Sequence, residues 1–257
     1  MLESGISPLL LYDIPSKASG TAWSPNTWKI RYALNFKGLP FKTVWTEYPD
    51  IEGLAITIGA KPTDVRGGSP YYSLPVIQDP NTGAVISDSA LIAEYLDEAY
   101  PETPKLIPAG TRALQTSFRV AYKHLTEASA QFIIPSIPDI LYPRSREYYV
   151  RTREIRFGKK LSEVMPVGDA HDAAWAQLKA GFTKVSGWMN DDEPFVMGNV
   201  VTFADFVLAG ELQWFMKGFG ETSPKWQDIL TWDGGRWAKL LDSLKGYEGL
   251  DEEQYQP

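Results

Sequence analysis

Residues 21–31 read TAWSPNTWKIR. Within this string Ser24, Asn26 and Thr27 gather hydrogen-bonding side chains around Pro25, with Trp23 and Trp28 on either flank. Two uses fit such a cluster. Ser24 can cap a helix that begins at Pro25, since proline needs no amide partner at a first helical position and a serine oxygen accepts from free N–H groups. Alternatively, the hydroxyl can donate to an anion held at the helix start, where unpaired N–H groups and the positive end of the dipole also favour negative charge. The local residues leave both uses open.

Other chemistries are poorly supplied. The chain has no cysteine, which excludes a disulfide framework, a thiolate metal site and a cysteine nucleophile. His124 and His171 show no metal-ligand spacing, so no metal is expected. The run YPRSREYYVRTREIRF carries Arg144, Arg146, Arg151, Arg153 and Arg156 between tyrosines. A net charge of −7 and interspersed glutamates favour a solvated helix face over a nucleic-acid surface. No stretch approaches the roughly 20 apolar residues of a membrane span. MLESGISPLLLYDIP lacks a basic leader and a long apolar run, so a cytoplasmic protein without a membrane partner is expected.

The elements that must position Ser24 follow from periodicity. LLLYDI (9–14) has strand length and FKTVWTEY (41–48) is β-rich; between them lies a helix from Ser24 to Gly38, with Ile30, Ala33, Leu34 and Lys37 on one face. Residues 49–70 hold so many prolines and glycines that they read mostly as loop, with room for a short helix. YSLPVIQDPNTGAVISDS predicts two short strands around a DPNTG turn, then a helix capped by Ser87 or Asp88. This β-α-β, loop, β-β-α order is a thioredoxin-like layout. The proline-rich 100–112 segment reads as a linker, dividing the chain into domains 1–103 and 104–257. Beyond it, helices are predicted over 116–134, 147–164, 171–189 and 201–217, with WQDIL and GGRWAKLLDSLKGYEGL completing an all-helical domain. Thr202 and Asp205 have capping-box spacing. The fold class is therefore α/β plus all-α.

Three motifs in order, SLPVI (73–77), SDSALIAEYLDE (87–98) and GNVVTFADF (198–206), resemble those of the soluble glutathione transferases. Within that superfamily, SPNTWKIRYALNFKGLPF is similar to the serine-type enzymes, closest to the fungal-specific class A group and the related bacterial β-aryl-etherases.

The resemblance implies glutathione as co-substrate and a thiolate nucleophile activated by the Ser24 hydroxyl, with Asn26 as a second donor. It implies that Pro75 is cis, that the Leu74 backbone pairs with the cysteinyl part of glutathione, and that Asp88 and Ser89 receive its γ-glutamyl end. Lys61 and Arg66, in the loop, are read as solvated charges. A hydrophobic aromatic acceptor would lie between the domains against Trp23, Phe118 and Tyr122. The reaction implied is attack on aromatic electrophiles, with aryl-ether cleavage as a variant; the alternative is a carrier of aromatic or polyphenolic ligands. The family also implies a homodimer.

Overall fold

The computed structural model describes residues 5–249 and Tyr255; the first four residues of the N-terminal string and Leu250 of the last predicted segment lie outside them. Strand β1 (Leu9–Asp13) is followed by helix α1 (Pro25–Lys37), parallel strand β2 (Phe41–Trp45), helix α2 (Ile51–Ile58), the hairpin β3 (Asp64–Arg66) and β4 (Ser69–Tyr71), strands β5 (Val76–Asp79) and β6 (Ala84–Ser87), and helix α3 (Ser89–Ala99). The main sheet has the order β2-β1-β5-β6, with β1/β5 and β5/β6 antiparallel. Leu9 and Leu11 are fully buried, as expected of a central strand covered on both faces.

Helix α1 starts at Pro25 and stops at Gly38, whose φ of 66° lets its N–H turn back to Asn35 and Leu34 carbonyls. Its burial exceeds the single face read from the sequence: Thr27, Trp28, Arg31, Tyr32 and Lys37 are buried with Ile30, Ala33 and Leu34. The helix is wedged between the sheet and a helix of the second half, and its buried charged side chains have partners. Arg31 meets Asp13 and Thr43 Oγ1, both at 3.0 Å. Lys37 donates to Asp97 at 2.8 Å and to the Pro104 carbonyl at 3.0 Å.

Residues 49–70 contain more structure than a loop. A 3₁₀ turn over 48–50 leads into α2, which closes at Gly59, and β3 and β4 pair around Gly67 and Gly68, both with positive φ. The hairpin is almost wholly exposed, so it leaves no apolar alternation to read.

The second half holds α4 (Arg112–Leu125), α5 (Ser129–Ile133), α6 (Pro143–Phe157), α7 (Asp169–Ser186), α8 (Phe203–Phe219) and α9 (Pro224–Leu244). The long helix expected over 116–134 is thus two, followed by a 3₁₀ segment over 134–139. WQDIL and GGRWAKLLDSL belong to one kinked element, bent where Asp233, Gly234 and Gly235 take positive φ. Phe182, Trp232 and Trp237 form the aromatic centre of this half, with ring centroids 5.1–5.6 Å from Phe182.

Helix α8 joins the halves. Gly210 is fitted so closely to α1 that a β-carbon there would lie 2.6 Å from the Pro25 carbonyl oxygen. Its start carries the expected capping box: Asp205 accepts from Thr202 N at 2.8 Å and Thr202 Oγ1 at 3.1 Å, and also from Val196 N at 2.8 Å. Asp205→Ala strands these buried donors and is expected to cost about 3 kcal/mol in urea unfolding. Burial pushes the Asp205 carboxyl up to about 6 despite those donors. The folded chain then holds this proton more tightly than the unfolded one. Wild-type stability relative to Asp205→Asn should therefore fall as pH rises from about 4 to about 6 and stay level above.

Candidate active site

The register of the main sheet gathers the expected site residues at one end. Tyr12 pairs with Val76 and Val76 with Ser87. The loop from β1 to Ser24, the Leu74–Pro75 bond entering β5, and Asp88–Ser89 leaving β6 therefore emerge from the same end of the sheet. Leu74–Pro75 is cis, and both residues are buried.

Ser24 is the residue before α1, extended at φ −66° and ψ 129°, and only 5% exposed. It has the position of a cap but its hydroxyl makes no capping hydrogen bond. Its backbone carbonyl is used instead, accepting from Trp28 N at 3.0 Å and Thr27 Oγ1 at 3.1 Å. A buried hydroxyl thus stands at a helix N-terminus without a capping task. Asn26 is exposed and accepts from Lys29 Nζ at 2.8 Å. Burial pushes the Lys29 ammonium down to about 8, against the pull of the Glu211 and Asp88 carboxylates.

At α3 the assignment between Ser87 and Asp88 is resolved. Asp88 Oδ1 accepts from Ala90 N at 2.8 Å and Leu91 N at 3.3 Å, so Asp88 is the cap. Its φ of 78° is uncommon for a residue with a side chain, and backbone strain of this kind concentrates at ligand sites. Ser89, at the first helical position, is buried.

Trp23, beside Ser24, is buried in an aromatic cluster that bridges the two halves. Its ring centroid is 6.4 Å from both Tyr48 and Tyr149. Tyr48 stacks on Tyr148 at 5.7 Å, and the Arg153 guanidinium lies 4.4 Å from the Tyr149 ring and 5.5 Å from that of Tyr48. Phe118 and Tyr122 are elsewhere. They stack on one another at 6.1 Å, with Trp188 against Phe118 and Phe182 against Tyr122, in the packing of α4 on α7. None of these ring contacts joins them to Trp23.

Sequence reasoning missed Tyr48, Tyr149 and Arg153. The arginine-rich run is not uniformly solvated: Tyr149 and Ser145 are buried and Arg153 is half-buried, while Arg151 and Arg156 are exposed. The readable signal is the helical spacing of Ser145, Tyr149 and Arg153, which puts them on one face.

Of the remaining expected residues, Lys61 is exposed, and Arg66 pairs with Asp64 at 3.1 Å with its guanidinium 3.4 Å from the Tyr71 ring centroid. His171 meets Asp172 at 3.0 Å and His124 lies 3.8 Å from Glu127. Among the described residues no group of three or more histidine, aspartate or glutamate side chains could hold a metal, and no helix is long and apolar enough to cross a membrane.

Residues 23–99 match the family Glutathione S-transferase, N-terminal domain, and residues 113–247 match Glutathione S-transferase, C-terminal domain. The chain belongs to the glutathione S-transferase family. A glutathione S-transferase of Ceriporiopsis subvermispora, CsGST63524, solved in complex with glutathione, is 44% identical, with a TM-score of 0.92 over 96% of this chain and 100% of its own. Glutathione transferase GSTFuA3 of Phanerochaete chrysosporium is 40% identical, with a TM-score of 0.90 over 96% and 100%. The glutathione S-transferase-like protein ustS of Aspergillus flavus is 31% identical over 99% of this chain and 96% of its own.

In this transferase the unengaged Ser24 hydroxyl has a consequence for stability. Removing a working N-cap costs about 1 kcal/mol. Ser24→Ala should instead unfold in urea within about 0.5 kcal/mol of wild type at unchanged slope. A loss of a full kcal/mol would return the residue to capping.

Proposed function

We propose that this transferase is serine-type: the Ser24 hydroxyl donates to the sulfur of bound glutathione and keeps it as thiolate for attack on hydrophobic aromatic electrophiles. The observation that carries the reading is a buried hydroxyl at the start of α1 with no cap to make. A free thiol has a pKa near 8.5, so only a few per cent is ionised at pH 7. A hydrogen bond to a charged group contributes about 1.5–3 kcal/mol, and the helix N-terminus about 0.3–1 kcal/mol. Together these lower the thiol by one to two pKa units. Ser24 does not itself attack; it prepares the nucleophile.

Glutathione would run along the sheet end, its cysteinyl backbone pairing with Leu74 before cis-Pro75 as an added strand. Its γ-glutamyl end would meet Ser89 and Asp88, whose Oδ2 is left over from capping. The glutathione complex of the Ceriporiopsis relative supports this co-substrate. Asn26 is a second donor through Nδ2, since Lys29 engages only its amide oxygen, and its exposure to water makes it the weaker one. The aromatic acceptor belongs beside Trp23. Aryl ethers fall within the same electrophile class. We also propose that the two functional halves divide at 103/104 and that the enzyme is a cytoplasmic homodimer, for which exposed Leu91 on α3 and Leu114 and Val120 on α4 offer apolar surface.

Turnover of an aromatic chloride and a fluorescent aryl ether by wild type and Ser24→Ala tests the mechanism. The variant should lose about ten- to a hundredfold in kcat/KM. Titration of bound glutathione by thiolate absorbance should show a pKa one to two units below the free value in wild type only. An unchanged rate removes Ser24 from the mechanism, and tight aromatic binding without turnover makes the protein a carrier.

A further inference from the structure

We propose that Arg153, which lies over Tyr48 and Tyr149, is the anion-recognising part of the acceptor subsite, selecting flat aromatic acceptors that carry a carboxylate or phenolate. The inference rests on the transferase reading and names its substrate class.

Several other arginines have close acidic partners: Arg31 has Asp13, Arg66 has Asp64, Arg112 has Glu94 and Arg144 has Asp50, whereas Arg119 on α4 has none among the described residues and lies over Phe203. Arg153 has no ion pair among the described residues, although it is half-buried. Its guanidinium donates to the neighbouring Thr152 hydroxyl at 3.0 Å and to the Tyr149 hydroxyl. A guanidinium offers five N–H donors in a planar fork, so most of its capacity is uncommitted. Glu47, the carboxylate beside Tyr48 in the chain, is already taken. It accepts from Ser145 N at 2.9 Å and Tyr255 OH at 3.1 Å.

The tyrosine faces compensate the cation only in part. Cation–π contacts are weaker than the bidentate pairing a carboxylate supplies in a water-poor site. Arg151 and Arg156 also lie over rings, but both are exposed and water solvates them. Withdrawal from water without a counter-ion separates Arg153 from these two. The framing rings then define the shape of what can pair with it. Trp23 and Tyr149 are buried behind the part-exposed Tyr48, at centroid separations of 5.6–6.4 Å, so Tyr48 presents the aromatic surface that a flat ring can meet. Trp23 is covalently next to Ser24, so a ring packed there with its anion toward Arg153 lies close to where the sulfur would be held.

The matched substrates 4-chloro-3,5-dinitrobenzoate and its methyl ester test this. In each, the thiolate sulfur bonds to the ring carbon bearing chlorine, chloride leaves with the bonding pair, and the thiol proton has gone to water. In Arg153→Gln the KM for the benzoate should rise about ten- to a hundredfold, while that for the ester and that for glutathione stay within twofold. Arg153→Lys should recover part of the benzoate affinity, and circular dichroism should show all three proteins equally folded. Equal losses on acid and ester overturn the proposal. So does a raised KM for glutathione, which would make its glycyl carboxylate the anion that Arg153 holds. Quenching of tryptophan fluorescence by unreactive 3,5-dinitrobenzoate gives a reading independent of turnover. Should wild type turn over neither acceptor, the transferase mechanism fails, yet quenching lost in Arg153→Gln still supports the subsite. Quenching identical in the two proteins overturns it.

Discussion

Helix α1 is gripped from two sides, and the site depends on that grip. On the sheet side Arg31 and Asp13 form an ion pair with both side chains fully buried, braced by Thr43 and surrounded by Trp28, Phe41 and Trp45. Such a pair adds little net stability over an apolar packing, but removing one member leaves a bare buried charge and costs about 3–5 kcal/mol. Its value here is geometric. It ties the middle of α1 to the end of β1, and so holds the loop between them at a defined span. On the other side α8 packs along the helix, and Gln213 donates to the Tyr32 hydroxyl at 2.9 Å. The first turn of α1, with Ser24 before it, is placed by these contacts rather than by its own sequence.

The chemistry built on this grip is modest by design. The described residues offer no metal group, and the chain has no cysteine. The proposed mechanism uses a hydroxyl, the amides of a helix start and the orientation of two bound molecules. The first two shift a proton by a unit or two. Positioning can contribute several kcal/mol more when reacting atoms are held within contact distance. On the proposed mechanism the aromatic cluster around Trp23 works beside Ser24.

Much of this was legible in the chain. Ser24-Pro25, SLPVI, the Asp88–Ser89 pair and the Thr202/Asp205 box are short-range signals, in which a turn, a cap or a helix start is decided by adjacent residues. The structure puts each where those signals said. What the chain did not display has two causes, partners distant in sequence and exposure that leaves no apolar period. Arg153 resembles its exposed neighbours until α6 is laid against Tyr48. Phe118 and Tyr122 have the aromatic character of a ligand wall, but Trp188 and Phe182, more than 50 residues on, claim them. The β3–β4 hairpin was hidden because an exposed strand pair has no apolar period. The bend in α9 was visible as two fragments because Gly234 and Gly235 interrupt the helical pattern; Asp233, which accepts from Trp237 Nε1 at 2.8 Å and from Thr183 Oγ1 at 2.7 Å, ties that bend to α7.

Gly210 carries an implication for how such proteins diverge. Its missing side chain lets a backbone carbonyl from the first half sit where a methyl group would stand, so the two halves share a surface with no slack. Genetic exchange at the 100–111 connector would bring together an α1 and an α8 fitted to different partners. A mismatch of one methyl group at that seam would push aside the turn that bears Ser24. A chimera joined at that connector would therefore need the contact residues of α1 and α8 from one parent.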